Sequence, residues 1–268
     1  MKIAEGRSFA DIDSMGAYLR SLVLDGREIL MGTEDGRQTH GGAASLIPYA
    51  GRIRGGKYSF GGRDYAFRPG KDGNSIHGFA RETEFRSTAT GSGNGLFSAS
   101  LKDAGYPSVL DMEIGFAVGT DSLAVTYSAA NAGDLAAPLV IGCHPYFLVE
   151  GPYELHPSAH ARKLNLEDVY FPDGTYSEFD FDRSLDDIQL DSCFEGGGLL
   201  SLVSGGRTIE ISRSGMDYFL VYNGEYARGR SVAVEPMTGA PDAYNNGIGL
   251  TVLEPGQKLE CGFTIRLE

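Results

Sequence analysis

The chain has 268 residues, 41% hydrophobic and 22% charged, with a formal net charge of -13. That balance is globular, and the length allows one large all-β domain. The acidic charge argues against nucleic acid and anionic membrane surfaces, which select basic faces, but not against a neutral ligand. Three cysteines, Cys143, Cys193 and Cys261, cannot all pair within one chain and show no C-x-x-C spacing. Reduced thiols in a cytoplasmic protein are expected. The stretch MKIAEGRSFADIDS has no apolar core of a signal peptide, and no apolar run has the length of a membrane span.

In chain order the predicted elements are almost all strands. PYAGRIRGGKYSF places Arg52 and Arg54 on one strand face between glycines, and GKYSF-GG-RDYAF is a hairpin about a Gly-Gly turn. NSIHGFARE presents His77 and Arg81 around Gly78, a tight backbone path. GSGNG at 91–95 is a turn without phosphate-loop context. DMEIGFAV and SLAVTYSAA alternate with period two and form another hairpin.

IGCHPYFLV is a buried strand interrupted by His144 and Pro145. Residues i and i+2 share a strand face, so His144 lies beside Gly142, which is expected to leave space above the sheet. Pro145 predicts a strand end or edge. Taken alone, His144 reads more readily as a core histidine than as a catalyst.

HPSAHARK spaces His156 and His160 by four, but Pro157 and the lack of an HExxH pattern argue against a metal site. Residues 172–198 are rich in Asp, Gly and Ser and read as long loops with at most short strands. Within them LDDIQLDSCFEGG carries Asp186, Asp187 and Asp191, without the pattern of a calcium loop. Asp186 and Asp187 read as solvated, whereas Asp191, beside Cys193 and Phe194, points at something. LLSLVS-GG-RTIEIS is a second Gly-Gly hairpin, YFLVYN a strand, and LTVL-EPGQ-KLECGFTIRL a final hairpin. SVAVEPMTGAPDAYN repeats the histidine pattern: Ala233 precedes Glu235 by two and Pro236 follows. A carboxylate there requires an ion pair or a solvated cleft. The sum is one all-β domain, 1–268, built as a large antiparallel β-sandwich of two packed sheets.

Five segments in order, PYAGRIRGGKYSF, NSIHGFARE, GCHPYF, LDSCFEGG and VAVEPMTGAPDAYN, spanning 48–245, resemble the aldose 1-epimerase (galactose mutarotase-like) family. The resemblance implies a galactose mutarotase-like supersandwich with a sugar in an open cleft. By position it implies Glu235 as general base, His144 as general acid and His77 as the second histidine near the ring oxygen. It also implies Asp191 and Arg52 as contacts to sugar hydroxyls, with Arg81 and Tyr146 as further substrate-binding candidates. Interconverting anomers opens the ring: a base takes the C1 hydroxyl proton while an acid protonates the ring oxygen. One carboxylate and a histidine suffice, with neither metal nor redox cofactor.

Mutual proximity is expected to keep Glu235 ionised and His144 protonated. Tyr106 and Phe147 are further candidates to line the cleft, although Phe147 suits the core better. Two departures stand out. Gly51 precedes Arg52, where the family often has Asn. His77 runs straight into GFAR, which is similar to the hexose-6-phosphate 1-epimerase branch. The expected partner is therefore a small-molecule aldohexose. A phosphorylated sugar clamped by Arg81 and Arg54, or a non-catalytic sugar-binding module, are the alternatives, and a homodimer is compatible with the sequence.

Overall fold

A computed structural model describes residues 1–268. Two large antiparallel sheets face each other. One runs, edge to edge, through Lys2–Glu5, Ser8–Asp13, Tyr18–Leu24, Ala43–Leu46, Gly142–Leu148, Ser231–Met237, Tyr218–Tyr222, Asp191–Gly196, Ala161–Leu166 and Pro172–Ser177. The other runs through Arg86–Ala89, Asn94–Leu101, Leu110–Val118, Ser122–Asn131, Lys258–Leu267, Arg207–Ser214, Leu200–Ser204 and Tyr153–Pro157. Alternation builds the second sheet: along Leu110–Val118 every other residue, from Leu110 to Val118, is buried. These side chains share one core of 54 buried residues with Cys143, Phe147, Val232 and Val234 of the first sheet. The fold is the expected β-sandwich.

The three predicted hairpins at Leu110–Asn131, Lys57–Ala66 and Leu200–Ser214 form, the last two about Gly61-Gly62 and Gly205-Gly206, all four at positive φ. The fourth does not. Thr251–Leu253 pairs with Ala137–Leu139, while Lys258–Leu267 lies between Ser122–Asn131 and Arg207–Ser214. A strand has two edges, and both edges of Lys258–Leu267 are taken. Residues 172–198 contain short strands only at their ends, Pro172–Ser177 and Asp191–Gly196.

Three local expectations about the first sheet are corrected. Gly142–Leu148, the histidine strand, is central rather than an edge, paired with Ala43–Leu46 on one side and Ser231–Met237, the glutamate strand, on the other. Gly142 does not open space. A Cβ there would lie 2.9 Å from Ala50 Cβ and 3.2 Å from Met237 Cγ, so the glycine permits close packing. Arg52 and Arg54 do not share a strand, because the strand is only Arg52–Ile53 and Arg54 opens a 3-10 turn through Gly55 at φ 60°.

The prolines are tolerated centrally for a reason of register. Gly142 faces Met237 and Tyr146 faces Ala233, and this unbroken register sets His144 opposite Glu235. Tyr146 donates its N–H to Gly42 O, away from the glutamate strand, so Cys143 and Pro145 are the residues aimed at that strand. Pro145 and Pro236 each delete one donor, at the two positions flanking His144 and Glu235. The histidine and glutamate thus occupy a non-hydrogen-bonded pair, where facing side chains come closest.

Candidate functional site

The first sheet's outer face carries two cross-strand rows. Cys193 pairs with Leu220 and Leu220 with Glu235, and His144 continues the row. Beside it run Asp191, Tyr222, Ala233 and Tyr146. Most of these side chains floor a cleft of about 620 Å³, walled by loops that carry Arg52, His77, Arg81, His40 and Tyr170.

His144 Nε2 lies 3.1 Å from Glu235 Oε1, and both residues are buried. The Tyr146 ring stacks on the imidazole at 4.7 Å and 19°. His77 meets it edge-on at 5.6 Å and 81°. His77 gets there through two consecutive left-handed residues, His77 at φ 62° and Gly78 at φ 65°, with His77 N–H donating to Gly51 O. At Gly78 a Cβ would sit 2.0 Å from Ile47 O, so only glycine fits.

Burial dominates the electrostatics. It pushes Glu235 well above the usual carboxylate value, with the nearby Asp191 charge adding to the rise. It lowers His144 to about 3, a shift to which His40 adds, and it lowers His77 well below 6.5, helped by His144, Arg81 and Arg52. Proximity therefore does not keep the pair charged in the empty cleft, because loss of hydration favours the neutral forms. The two descriptions differ only in where one proton sits. Protonated Glu235 with neutral His144 and ionised Glu235 with imidazolium are tautomers of one state. The Nδ1 atoms of His144 and His77 are buried without partners.

Arg52 is held ready. Its Nε donates to Asp72 Oδ2 at 2.7 Å, and its guanidinium lies 3.6 Å over the Tyr170 ring. Asp191 is exposed within the cleft, and surrounding protein raises its carboxyl above the usual value against the pull of Arg52. Arg81 lines the cleft but donates to Ile76 O and lies 3.9 Å from Glu82. Tyr146 is fully buried and its hydroxyl donates to Thr39 O, so it buttresses His144 rather than offering a hydroxyl to a ligand.

Other candidates lie elsewhere. Arg54 is engaged by Glu167, Asp168 and Asp242 and does not line the cleft. Tyr106 is a core residue whose hydroxyl donates to Pro138 O, and Phe147 is also core. His156 and His160 pair separately, with Glu154 and Glu178. Asp186 and Asp187 are exposed. Sequence reasoning missed Asp72, Tyr170, Tyr222 and His40. Tyr222 was within reach, since the alternation of YFLVYN puts it on the face of Leu220, but PGKDGNS gave no sign that Asp72 would meet an arginine.

The sequence profile of the Aldose 1-epimerase family matches residues 2–266. The chain belongs to this family. Among relatives, the uncharacterized protein YihR of Escherichia coli K12 is 25% identical over 99% of this chain and 92% of its own length. A galactose mutarotase-like protein from Lactobacillus casei superposes with a TM-score of 0.86, at 21% identity, covering 100% of this chain and 99% of that one. The GalM/aldose epimerase homologue from C. elegans gives a TM-score of 0.85 at 18% identity, covering 100% and 98%. At such identities these structures establish the aldose 1-epimerase fold. The family match also extends beyond the five segments, from 48–245 to nearly the whole chain.

Proposed function

We propose that this family member is a mutarotase that interconverts the α- and β-anomers of a free aldohexose. The reading rests on one observation above others: a histidine and a glutamate, 3.1 Å apart, face each other at the floor of a cleft large enough for a sugar. Glu235 takes the C1 hydroxyl proton, the bond from C1 to the ring oxygen breaks, and imidazolium His144 protonates that oxygen. Rotation about the C1–C2 bond of the open aldehyde turns its other face. Reclosure then returns one proton from Glu235 to the C1 oxygen and the other to His144. The pair regains its protons each cycle, so no external proton carrier is needed.

The reactive tautomer is ionised Glu235 with protonated His144. Sugar hydroxyls entering the cleft supply hydrogen bonds that favour it over the neutral one. His77 sits edge-on to His144 on the side assigned to the ring oxygen. Arg52, preset by Asp72 and Tyr170, and Asp191 hold hydroxyls as donor and acceptor. Support for an unphosphorylated sugar comes from Arg54, whose guanidinium is committed to three carboxylates, and from the half-engaged Arg81.

A cytoplasmic protein with one domain over 1–268 belongs to the same proposal. It is supported by three free, buried thiols and by sheets that interleave strands from both halves of the chain. No helix is long and apolar enough to cross a membrane.

The test is anomer exchange by magnetisation-transfer NMR across a panel of aldoses. Glu235→Gln should slow exchange by about 10²–10⁴-fold, the usual worth of a positioned base. An undiminished rate in that variant would overturn the mechanism.

A further inference from the structure

We propose that His40, from the loop before Ala43–Leu46, is a substrate contact that sets sugar specificity by hydrogen-bonding through Nε2 to a hydroxyl other than the anomeric one. The inference rests on the sugar reading of the cleft and adds a third imidazole to it.

The loop is built to hold this ring still. Asp35 Oδ2 lies 2.7 Å from His40 Nδ1. The same carboxylate is itself fixed, accepting the Arg37 N–H at 3.0 Å and the Thr33 hydroxyl at 3.1 Å. The imidazole stacks on Tyr226 at 3.6 Å and 13°. Arg228 clamps the loop by pairing with Glu34 at 2.5 Å and donating to Gly32 O at 2.7 Å.

With Nδ1 held by Asp35, Nε2 is the ring nitrogen left for a ligand hydroxyl. Nε2 has no protein partner and is not sealed from solvent, and His40 lines the cleft. A ring fixed in place, with one nitrogen free at the wall of a cleft, is what hydroxyl recognition requires.

Its place excludes the anomeric hydroxyl. Tyr146 lies on the His144 imidazole at one end and reaches Thr39 O, next to His40, at the other. The stacked Tyr146 ring thus marks the His144 end of the cleft, and its hydroxyl the His40 end. His40 meets a hydroxyl on the far part of the sugar.

The decisive experiment compares kcat/KM for anomer exchange of the preferred aldose and each of its monodeoxy analogues, in wild type and in His40→Phe, which keeps a ring on Tyr226 and loses Nε2. In wild type one analogue should fall about 10-fold below the parent, the scale of one hydrogen bond. In His40→Phe the parent should fall to that analogue's level, and removing the same hydroxyl should cost nothing further. His40→Gln, whose amide both donates and accepts, should recover part of the discrimination.

An equal loss for parent and every analogue in His40→Phe, or no loss at all, overturns the assignment. The ¹⁵N signal of His40 Nε2 during sugar titration reads the contact without turnover. If wild type exchanges no anomers, the mutarotase reading fails. If His40 Nε2 also stays unmoved by every aldose, the contact fails independently.

Discussion

Glu235 shows how a candidate catalytic residue can oppose stability. Its carboxyl is buried, faces an imidazole that burial also neutralises, and holds its proton far above the usual value. In the unfolded chain that proton leaves near 4.5. Above that pH the folded state binds a proton that the unfolded state has lost, so stability falls as pH rises until the folded value is passed. His144 acts at the other end: its folded value is near 3 against 6.5 unfolded, so stability falls as pH drops from 6.5 toward 3. Glutamine cannot ionise and escapes the first loss. Glu235→Gln should therefore melt a few degrees above wild type at about pH 8, with the gap closing as pH approaches the unfolded carboxylate value. Thermal denaturation across pH checks this. A wild type that gains on the variant as pH rises would refute the assignment of a raised carboxyl. Activity and stability should thus move in opposite directions in one variant, a trade expected where a site is desolvated for chemistry.

At the scale of elements, the turn that carries His77 is the least replaceable. Gly78 combines φ 65° with Ile47 O only 2.0 Å from where a Cβ would stand, whereas Gly229, at φ 63°, has nothing within 4 Å. Gly229→Ala should cost only the left-handed penalty, about 1 kcal/mol, and leave exchange near wild type. Gly78→Ala should cost about 3 kcal/mol or more and displace His77, lowering exchange further than the stability loss explains. Urea denaturation and NMR exchange on both variants separate backbone strain from collision. The same turn shows what the sequence makes legible. NSIHGFARE marks a tight path presenting His77, because glycine next to a polar residue is a local signal. Alternation likewise fixes which residues share a face in Gly142–Leu148 and Ser231–Met237. It does not fix which strands are neighbours, because pairing is decided by packing far along the chain. So Pro145 was misread as an edge marker. In the sheet it serves with Pro236 to thin the ladder beside the His144–Glu235 pair. The LTVL and KLECGFTIRL runs were misread as partners for the same reason: both edges of Lys258–Leu267 are claimed by strands remote in sequence.

For the whole molecule, the two sheets and the core between them were legible from periodicity, but the cleft is assembled from loops whose meeting no local pattern announces. Asp72 reaching Arg52 and His40 reaching the cleft are of this kind. The molecule's charge then bears on one choice within the proposed function, the phosphorylation state of the sugar. A net charge of -13 repels an anion at long range, and repulsion is screened within about 8–10 Å at physiological salt. At short range Arg54 is withdrawn by Glu167, Asp168 and Asp242, and Arg81 is partly engaged by Ile76 O. The long-range field favours a neutral substrate, while Arg37, Lys71 and Arg81 at the cleft act the other way. Turnover of a free aldose should be flat with ionic strength, since no net charge is steered. The corresponding 6-phosphate should react more slowly, by about 10-fold or more at low salt, and should gain on the free sugar as salt screens the repulsion. Anomer exchange of both sugars across a salt series measures this. A 6-phosphate that is faster at low salt and slows as salt rises would mean that local cations outweigh the global field and that the phosphorylated sugar is the substrate. The sign of the salt dependence decides between the two substrates because the same charges act on binding and on approach.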